Sequence, residues 1–346
     1  MKEREKLVGI VYAYDTKDEY DMVRELGIEW IRLNICFPWK DKMYGQLSET
    51  YIEIKKQFTE AYKHGMRIMP ATPPLGGFVF DKDLGKTIWK EEFPDFVGER
   101  GSEEFYKNVE KAMEFICKDL GKMAADMWQC MNEIDLPTFS NDYSLDILAE
   151  TARASARGIL AGNPKARCGI NISHFYEKGL LTADAVYTPG HPFYYIGVDQ
   201  YFGSWQGETV EKWIFVIDEL YKRYKLPVLA NEWGYSSGGS VTDQHPLPEE
   251  IPEGWADVCA ANHWFHDVPG GHTPETQGEY LRRGHEIFAK HPHVIGSFMF
   301  CWRDAHHCYH CGKSECPSEC FWGIVDIDCK PKKSYFTVKK AIADYY

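Results

Sequence analysis

The chain has 346 residues, 44% of them hydrophobic, which is enough to bury a large core and falls within the range of a single α/β barrel. Acidic residues outnumber basic residues by 52 to 39, a net charge of −13 without a long Lys/Arg cluster, which argues against nucleic acids and anionic membranes as partners. No apolar stretch approaches the roughly 20 residues of a membrane span, and the first residues lack the apolar core of a signal peptide. We therefore expect a cytoplasmic protein, and nothing in the sequence indicates its oligomeric state.

Short apolar runs alternate with helical patterns from one end of the chain to the other. Several of these runs are apolar almost throughout, as expected of parallel strands covered on both faces. Amphipathic patterns between them predict helices, among others at 48–65, 102–122 and 209–225. The predicted strands, in chain order, are 7–14, 28–35, 66–72, 124–131, 166–173, 194–201, 226–232 and 294–301.

Eight strand-then-helix units predict an α/β fold, a (β/α)₈ TIM barrel that spans 1–346 as a single domain. A doubly wound open sheet is the competing architecture, but no G-x-G-x-x-G or P-loop follows the first strand. An unusually long connection, 235–272, follows the seventh strand. Because loops of that length are usually functional lids or disordered, and because this one carries Trp255 and Trp264, we predict a packed lid.

Two predicted strands end at a carboxylate that follows an asparagine. The first is "MNE", with Asn132 and Glu133 after the fourth strand, and the second is "ANE", with Glu232 ending the seventh strand. In a barrel both would project from the face that carries the chemistry. Two carboxylates across a cleft are the arrangement that glycoside hydrolysis needs, one to protonate the leaving oxygen and one to stabilise or attack the sugar carbon. For either residue alone, a surface or salt-bridged carboxylate is the alternative.

These motifs resemble clan A of the glycoside hydrolases, and the resemblance extends over nearly the whole chain. It implies a retaining enzyme in which Glu133 is the proton donor, Asn132 binds the sugar 2-hydroxyl and Glu232 is the nucleophile. The strand "PVLANEWGY" is similar to the nucleophile strand of family five cellulases and mannanases and of family two β-galactosidases. The closing "FWGIVDIDCKPKKSYFTVKKA" is also similar to the ending common in the clan.

The resemblance implies three further site residues. Arg32 in "EWIRLNI" is similar to the arginine that keeps the nucleophile ionised, and Tyr201 in "VDQYFG" to the tyrosine that hydrogen-bonds it. Trp302 in "FMFCWRDA" is similar to the tryptophan beneath the reacting sugar. Structural roles are the alternatives: an ordinary ion pair, a rim tyrosine and a core tryptophan. His174, after the fifth strand, is either a sugar ligand or a packed histidine.

Two departures limit the resemblance to the clan and leave the family open. Asp135 stands near the position where many family five members have a proline after the acid/base residue, and the sixth strand reads "DQY" in place of His-x-Tyr. The aromatic content of 15% suits sugar recognition, since rings stack on the apolar faces of pyranoses.

The segment 306–320, "HHCYHCGKSECPSEC", follows the eighth strand and is dense in cysteine. Its compact spacing matches a tetrahedral Cys₄ zinc site, and such a closed site would be structural, bracing the loop beside Trp302. Unligated thiols or disulfides are the alternative, as is a catalytic zinc in which His306, His307 or His310 replaces one thiolate. Some clan A β-galactosidases of family forty-two also carry a cysteine-bound zinc, in a different part of the barrel. The four predicted ligands are Cys308, Cys311, Cys316 and Cys320.

The sequence thus predicts a cytoplasmic retaining β-glycosidase that acts on a neutral saccharide or glycoside, needs no cofactor for catalysis and holds a structural zinc. A zinc-dependent hydrolase using the Cys/His loop is the alternative enzyme. A barrel that binds carbohydrate without cleaving it is the non-enzymatic alternative, and the presence of both Glu133 and Glu232 argues against it.

Overall fold

Parallel strands alternate with helices in the computed structural model, which describes residues 6–12, 19–81, 86–239, 265, 268–308 and 314–346. Eight strands are hydrogen-bonded in the order β1-β10-β9-β8-β7-β6-β3-β2 and close a barrel. The strands are β1 (Leu7–Val11), β2 (Trp30–Asn34), β3 (Arg67–Ala71), β4 (Gly76–Asp81), β5 (Lys86–Glu91), β6 (Met127–Gln129), β7 (Arg167–Ile172), β8 (Tyr195–Gln200), β9 (Val228–Trp233) and β10 (Val294–Met299). All eight predicted strands are present, and the prediction of a (β/α)₈ barrel is confirmed.

A helix separates each barrel strand from the next. Ser48 and Ser102 accept hydrogen bonds from Tyr51 N and Phe105 N, so these side-chain caps start the helices predicted at 48–65 and 102–122. Among the described residues, no helix is both long and apolar enough to cross a membrane. The helices are α1 (Tyr20–Glu25), α2 (Glu49–Lys63), α3 (Glu103–Leu120), α4 (Pro137–Ser140), α5 (Leu145–Gly162), α6 (Glu177–Val186), α7 (Lys212–Tyr224), α8 (Pro274–Lys290) and α9 (Lys333–Tyr345).

The chain divides into two compact units. The first unit consists of Met1–Ile31 and Asp199–Tyr346, and the second unit of Arg32–Val198. In the first unit, β10 pairs in parallel with both β1 and β9. In the second unit, β6 lies between β3 and β7, and β7 also pairs with β8.

Helices α3 and α5 of the second unit approach each other closely at Gly158. A Cβ atom at this position would lie 2.1 Å from Glu110 O on α3, so only glycine fits this crossing. The contact holds α3, which precedes β6, against α5, which precedes β7. It therefore fixes both ends of the segment that carries Asn132 and Glu133.

An antiparallel hairpin, β4 with β5, is inserted between β3 and α3, and the sequence analysis did not predict it. Its strands pair from Gly76↔Glu91 to Asp81↔Lys86, and Glu92 N donates to Leu75 O at 2.9 Å where the two ends meet. The hairpin packs against α4, the short helix that follows Glu133. Most of the connection predicted as a lid, 235–272, lies outside the described residues, so the lid remains a prediction.

Candidate active site

The backbone turns sharply where β6 ends. Met131 and Glu133 have φ values of 64° and 39°, in the left-handed region that non-glycine residues seldom adopt and that costs on the order of 1–3 kcal/mol per residue. Two side chains from neighbouring strands bind this turn. Thr72 Oγ1 accepts a hydrogen bond from Met131 N at 2.8 Å, and Asn171 Oδ1 accepts one from Glu133 N at 3.0 Å. The turn thereby holds Asn132 and Glu133 at the carboxyl end of β6.

Buried amide side chains surround Asn132 and Glu133 in the second unit. Arg32, only 4% exposed, donates from Nη1 to Gln129 Oε1 at 3.2 Å. Gln129 Nε2 lies 3.0 Å from Asn132 Oδ1 and 2.9 Å from Asn171 Oδ1. Asn132 Nδ2 lies 3.5 Å from Glu133 Oε2. The second unit therefore joins three of the predicted site residues through Gln129 and Asn171, neither of which the sequence analysis singled out.

Asp135, one of the departures from the clan's pattern, is fully buried. Its two carboxylate oxygens accept hydrogen bonds from Ser173 N at 2.8 Å and Ser173 Oγ at 2.6 Å, which ties the loop after β6 to the end of β7. His174 stacks on Tyr176 with ring centroids 4.1 Å apart. Burial lowers the pKa of His174 although Asp135 opposes the shift, so the ring is neutral at pH 7. His174 thus lies beside the Asp135–Ser173 pair.

Glu232 lies in β9 of the first unit and is 7% exposed. Its Oε2 accepts a short hydrogen bond from the hydroxyl of Tyr201, which follows β8. Tyr201 is enclosed by Trp322, at a centroid distance of 4.9 Å, and by Phe300 at 5.8 Å. The surrounding rings hold the tyrosine, and with it the donor to Glu232, in place.

Trp302, predicted to lie beneath a bound sugar, follows β10 and is 0% exposed. Its indole Nε1 donates to Glu19 Oε2 at 2.5 Å. The ring of Tyr12 is stacked on that of Trp302, with centroids 6.5 Å apart. Trp302 is therefore packed against the loop that precedes α1, and its role in sugar binding remains a prediction.

A buried ion pair, also missed by the sequence analysis, connects the loops after β9 and β10. Lys332, at the start of α9, donates to both oxygens of Asp304 at 2.9 and 3.0 Å and to Ser237 Oγ at 2.7 Å. Asp304 also accepts from Gly323 N at 2.8 Å. Burial raises the pKa of Asp304 to about 6 in spite of the neighbouring ammonium group. Lys332 and Gly323 therefore both bind this carboxylate, and Lys332 links it to Ser237.

The predicted zinc ligands are only partly described. Cys308, Cys316 and Cys320 are buried, and Cys311 lies outside the described residues. Within the described part of the chain, no three His, Cys, Asp or Glu side chains form a group suited to a metal ion. His306 and His307 are exposed, and His310 is not described. The zinc site therefore remains a prediction.

Solved structures of glycoside hydrolases share this fold. The catalytic domain of a family 53 glycoside hydrolase from Ignisphaera aggregans superposes with a TM-score of 0.66 at 15% identity, over 98% of this chain and 97% of that one. A family 39 glycoside hydrolase from Bacteroides cellulosilyticus WH2 gives 0.61 at 14% identity, over 98% of this chain and 64% of that one. An exo-β-1,4-mannosidase from Opitutaceae bacterium strain TAV5 gives 0.61 at 16% identity, over 98% of this chain and 60% of that one. No protein-family model and no curated protein sequence matches the chain.

Proposed function

We propose that this protein is a glycoside hydrolase of the retaining type that cleaves the β-glycosidic bond of a neutral saccharide or glycoside. The observation that carries this proposal is the position of the two Asn-Glu pairs in the strand order. Glu133 lies in the turn that follows the fourth barrel strand, β6, and Glu232 lies in the seventh, β9. Carboxyl ends of barrel strands are where barrel enzymes carry their chemistry, and the likeness to solved glycoside hydrolases supports the same reaction class.

In the first step, Glu232 attacks the anomeric carbon as an ionised nucleophile while Glu133 gives its proton to the departing oxygen. The hydroxyl of Tyr201 donates to Glu232 and holds its carboxylate in position. The C–O bond to the leaving group breaks, its electron pair stays on the departing oxygen, and a glycosyl ester forms on Glu232. In the second step, Glu133 accepts a proton from the water that hydrolyses this ester.

Retaining hydrolysis requires carboxyl groups roughly 5–5.5 Å apart, whereas an inverting pair needs about 6.5–9.5 Å to admit a water molecule. If Glu232 is the nucleophile, the first sugar released should keep the β configuration. A panel of nitrophenyl β-glycosides (galactoside, glucoside, mannoside, xyloside, fucoside and arabinoside) identifies the sugar, and NMR of the initial product gives its anomeric form. An α-anomer would exclude the retaining mechanism, and no turnover of any glycoside would favour a barrel that only binds sugar.

A structural zinc in the loop after β10 is a second part of the proposal. This part rests on the sequence: four cysteines in a short segment are the donor set of a closed zinc site, and three of them, Cys308, Cys316 and Cys320, are buried. The nine cysteines of the described residues form no disulfide. The absence of disulfides among these residues also fits the reducing cytoplasm. Such an ion, closed by four thiolates, stabilises the fold and takes no part in the sugar chemistry, which needs no cofactor.

A further inference from the structure

Gln129 is the last residue of β6 and is fully buried, although it lies in an otherwise apolar strand. Its side chain uses both ends of the amide group. Oε1 accepts from Arg32 Nη1 at 3.2 Å, while Nε2 lies 2.9 Å from Met131 O, 3.0 Å from Asn132 Oδ1 and 2.9 Å from Asn171 Oδ1. No step of the glycosidase mechanism uses Gln129 directly. It contacts Asn132 and Asn171, and each of these two residues in turn contacts Glu133.

The direction of these hydrogen bonds is fixed by Arg32. A guanidinium group can only donate, so Gln129 must turn its oxygen toward Arg32 and its NH₂ group toward the two asparagines. Asn171 Oδ1 then accepts from Gln129 Nε2 and from Glu133 N, and Asn171 Nδ2 donates to Asn132 Oδ1 at 3.4 Å. Each of the three amide groups therefore has a single orientation.

These orientations determine which end of the Asn132 amide group faces Glu133. Because Asn132 Oδ1 lies within reach of two donors, Gln129 Nε2 and Asn171 Nδ2, its own Nδ2 is the group turned toward Glu133, 3.5 Å from Oε2. The Asn132 amide therefore faces Oε2 of Glu133 and limits the orientations open to this carboxyl group.

We propose that Gln129 is a positioning residue for Glu133: through Asn132 and Asn171 it fixes the left-handed backbone of Glu133 and the orientation of its carboxyl group. This inference rests on the proposed function, in which Glu133 protonates the leaving group. Gln129 acts through its neighbours and does not touch the reacting atoms. Its effect should therefore appear only in steps that need the acid.

The test uses Gln129→Met, which keeps the length of the side chain and removes its hydrogen bonds. With a poor leaving group such as a methyl glycoside, kcat/KM should fall about tenfold to hundredfold, since misplacing a catalytic group by about 1 Å can have an effect of that size. With a dinitrophenyl glycoside, which needs little acid assistance, the loss should stay below about threefold. Gln129→Glu keeps the acceptor for Arg32 but replaces the donor to both asparagines, and it should show the same dependence on the leaving group.

Asn108→Leu is the matched control. Asn108 is a buried amide of the same unit that donates to Val97 O at 3.0 Å, away from this cluster. Its substitution should lower stability and leave the ratio of the two kcat/KM values unchanged. If Gln129→Met lowers both kcat/KM values equally, in proportion to its loss of folded protein, Gln129 has only a structural role and the inference is overturned.

A second readout does not depend on catalysis. The backbone amide of Glu133 donates to Asn171, so in Gln129→Met its hydrogen exchange should accelerate at least about tenfold, while Asn108→Leu should leave it unchanged. If the protein hydrolyses no glycoside, or if Glu133→Ala hydrolyses all of them normally, the proposed function fails, and the exchange rate still decides whether Gln129 positions Glu133. An unchanged exchange rate in Gln129→Met would contradict the positioning role.

Discussion

The hydrogen bond from Tyr201 to Glu232 is the most direct contact between two predicted site residues. Tyr201→Phe removes the donor and leaves the ring in its aromatic surroundings. Since a hydrogen bond to a charged group contributes about 1.5–3 kcal/mol, we expect kcat/KM to fall roughly 10- to 150-fold, with slower covalent labelling of Glu232 by a 2-fluoro glycoside. Steady-state kinetics and mass spectrometry of the labelled peptide measure both effects.

Tyr195→Phe provides the comparison for this substitution. Tyr195 is equally buried and donates to Trp128 O at 3.0 Å, in the second unit. Losing that bond should lower the free energy of unfolding by about 0.5–1.5 kcal/mol without a specific effect on the reaction rate. Similar kinetic losses in the two variants would mean that the hydroxyl of Tyr201 only stabilises the fold.

The proposed role of Glu133 as the acid can be tested by comparing substrates with poor and good leaving groups. Glu133→Ala should hydrolyse poor leaving groups very slowly and still form the glycosyl-enzyme from dinitrophenyl glycosides, and azide should then release it as a β-glycosyl azide. Rates on the two substrate types, with and without azide, test this assignment. Equal losses on both, with no azide product, would show that Glu133 is not the acid.

The sequence reveals Glu133 and Glu232 because each ends an apolar run, where a carboxylate stands out. It conceals Gln129 and Asn171, although both are polar residues within apolar strands. Their importance depends on a contact between residues 42 positions apart, which only the pairing of β6 with β7 creates. The partner of a buried amide is set by strand register and cannot be read from local pattern.

At the scale of elements, the parallel strands were predictable because burial on both faces makes them nearly continuous apolar runs. The hairpin of β4 and β5 has no such signature. Two antiparallel strands are marginal on their own, and this pair is stabilised by packing on α4, some fifty residues further along the chain. The sequence of the hairpin alone therefore does not predict it, because it depends on packing against a distant helix.

The loops after β9 and β10 are joined by Asp304 and Lys332, and this connection should depend on pH. The pKa of Asp304 is about 6 in the folded chain, above its ordinary 3.8, because burial outweighs the effect of Lys332. The folded state therefore binds this proton more tightly than the unfolded chain. The stabilisation is complete below about pH 4 and is lost as the pH rises through about 6.

Asp304→Asn, which is neutral at every pH, should remove this contribution. The free energy of unfolding of the wild type minus that of the variant should decrease between pH 4 and 7, as measured by urea unfolding across that range. A difference that is constant with pH, or that increases, would show that Asp304 does not titrate in this interval.

At the scale of the whole molecule, the fold is retained at about 15% identity to the family 53 catalytic domain. A barrel requires apolar residues of suitable volume in its strands and tolerates many choices among them. The fold is therefore kept while the sequence diverges. The cysteine-rich segment after β10 is a feature of this chain whose effect on overall stability can be measured. Cys316 is buried there, close in sequence to two of its predicted co-ligands.

If this segment holds a structural zinc, the purified protein should contain about one zinc per chain, and Cys316→Ser should lower both zinc content and the midpoint of unfolding. Elemental analysis and urea unfolding give the two values. Cys329→Ser, at a half-buried cysteine outside the predicted set, should change neither markedly. Protein prepared without chelator that contains neither zinc nor iron would refute the metal site.

The hairpin of β4 and β5 also bears on how substrate preference can diverge in such a barrel. It is not part of the barrel's ladder, and its ends meet where Glu92 N donates to Leu75 O at 2.9 Å. A segment whose ends adjoin can be shortened, lengthened or exchanged at little loop-closure cost while the eight barrel strands keep their partners. Because it rests on the helix that follows Glu133, such an exchange would reshape the surroundings of Glu133 and leave β6 in place. Substrate preference would then change by exchange of this hairpin, while the barrel strands stay the same.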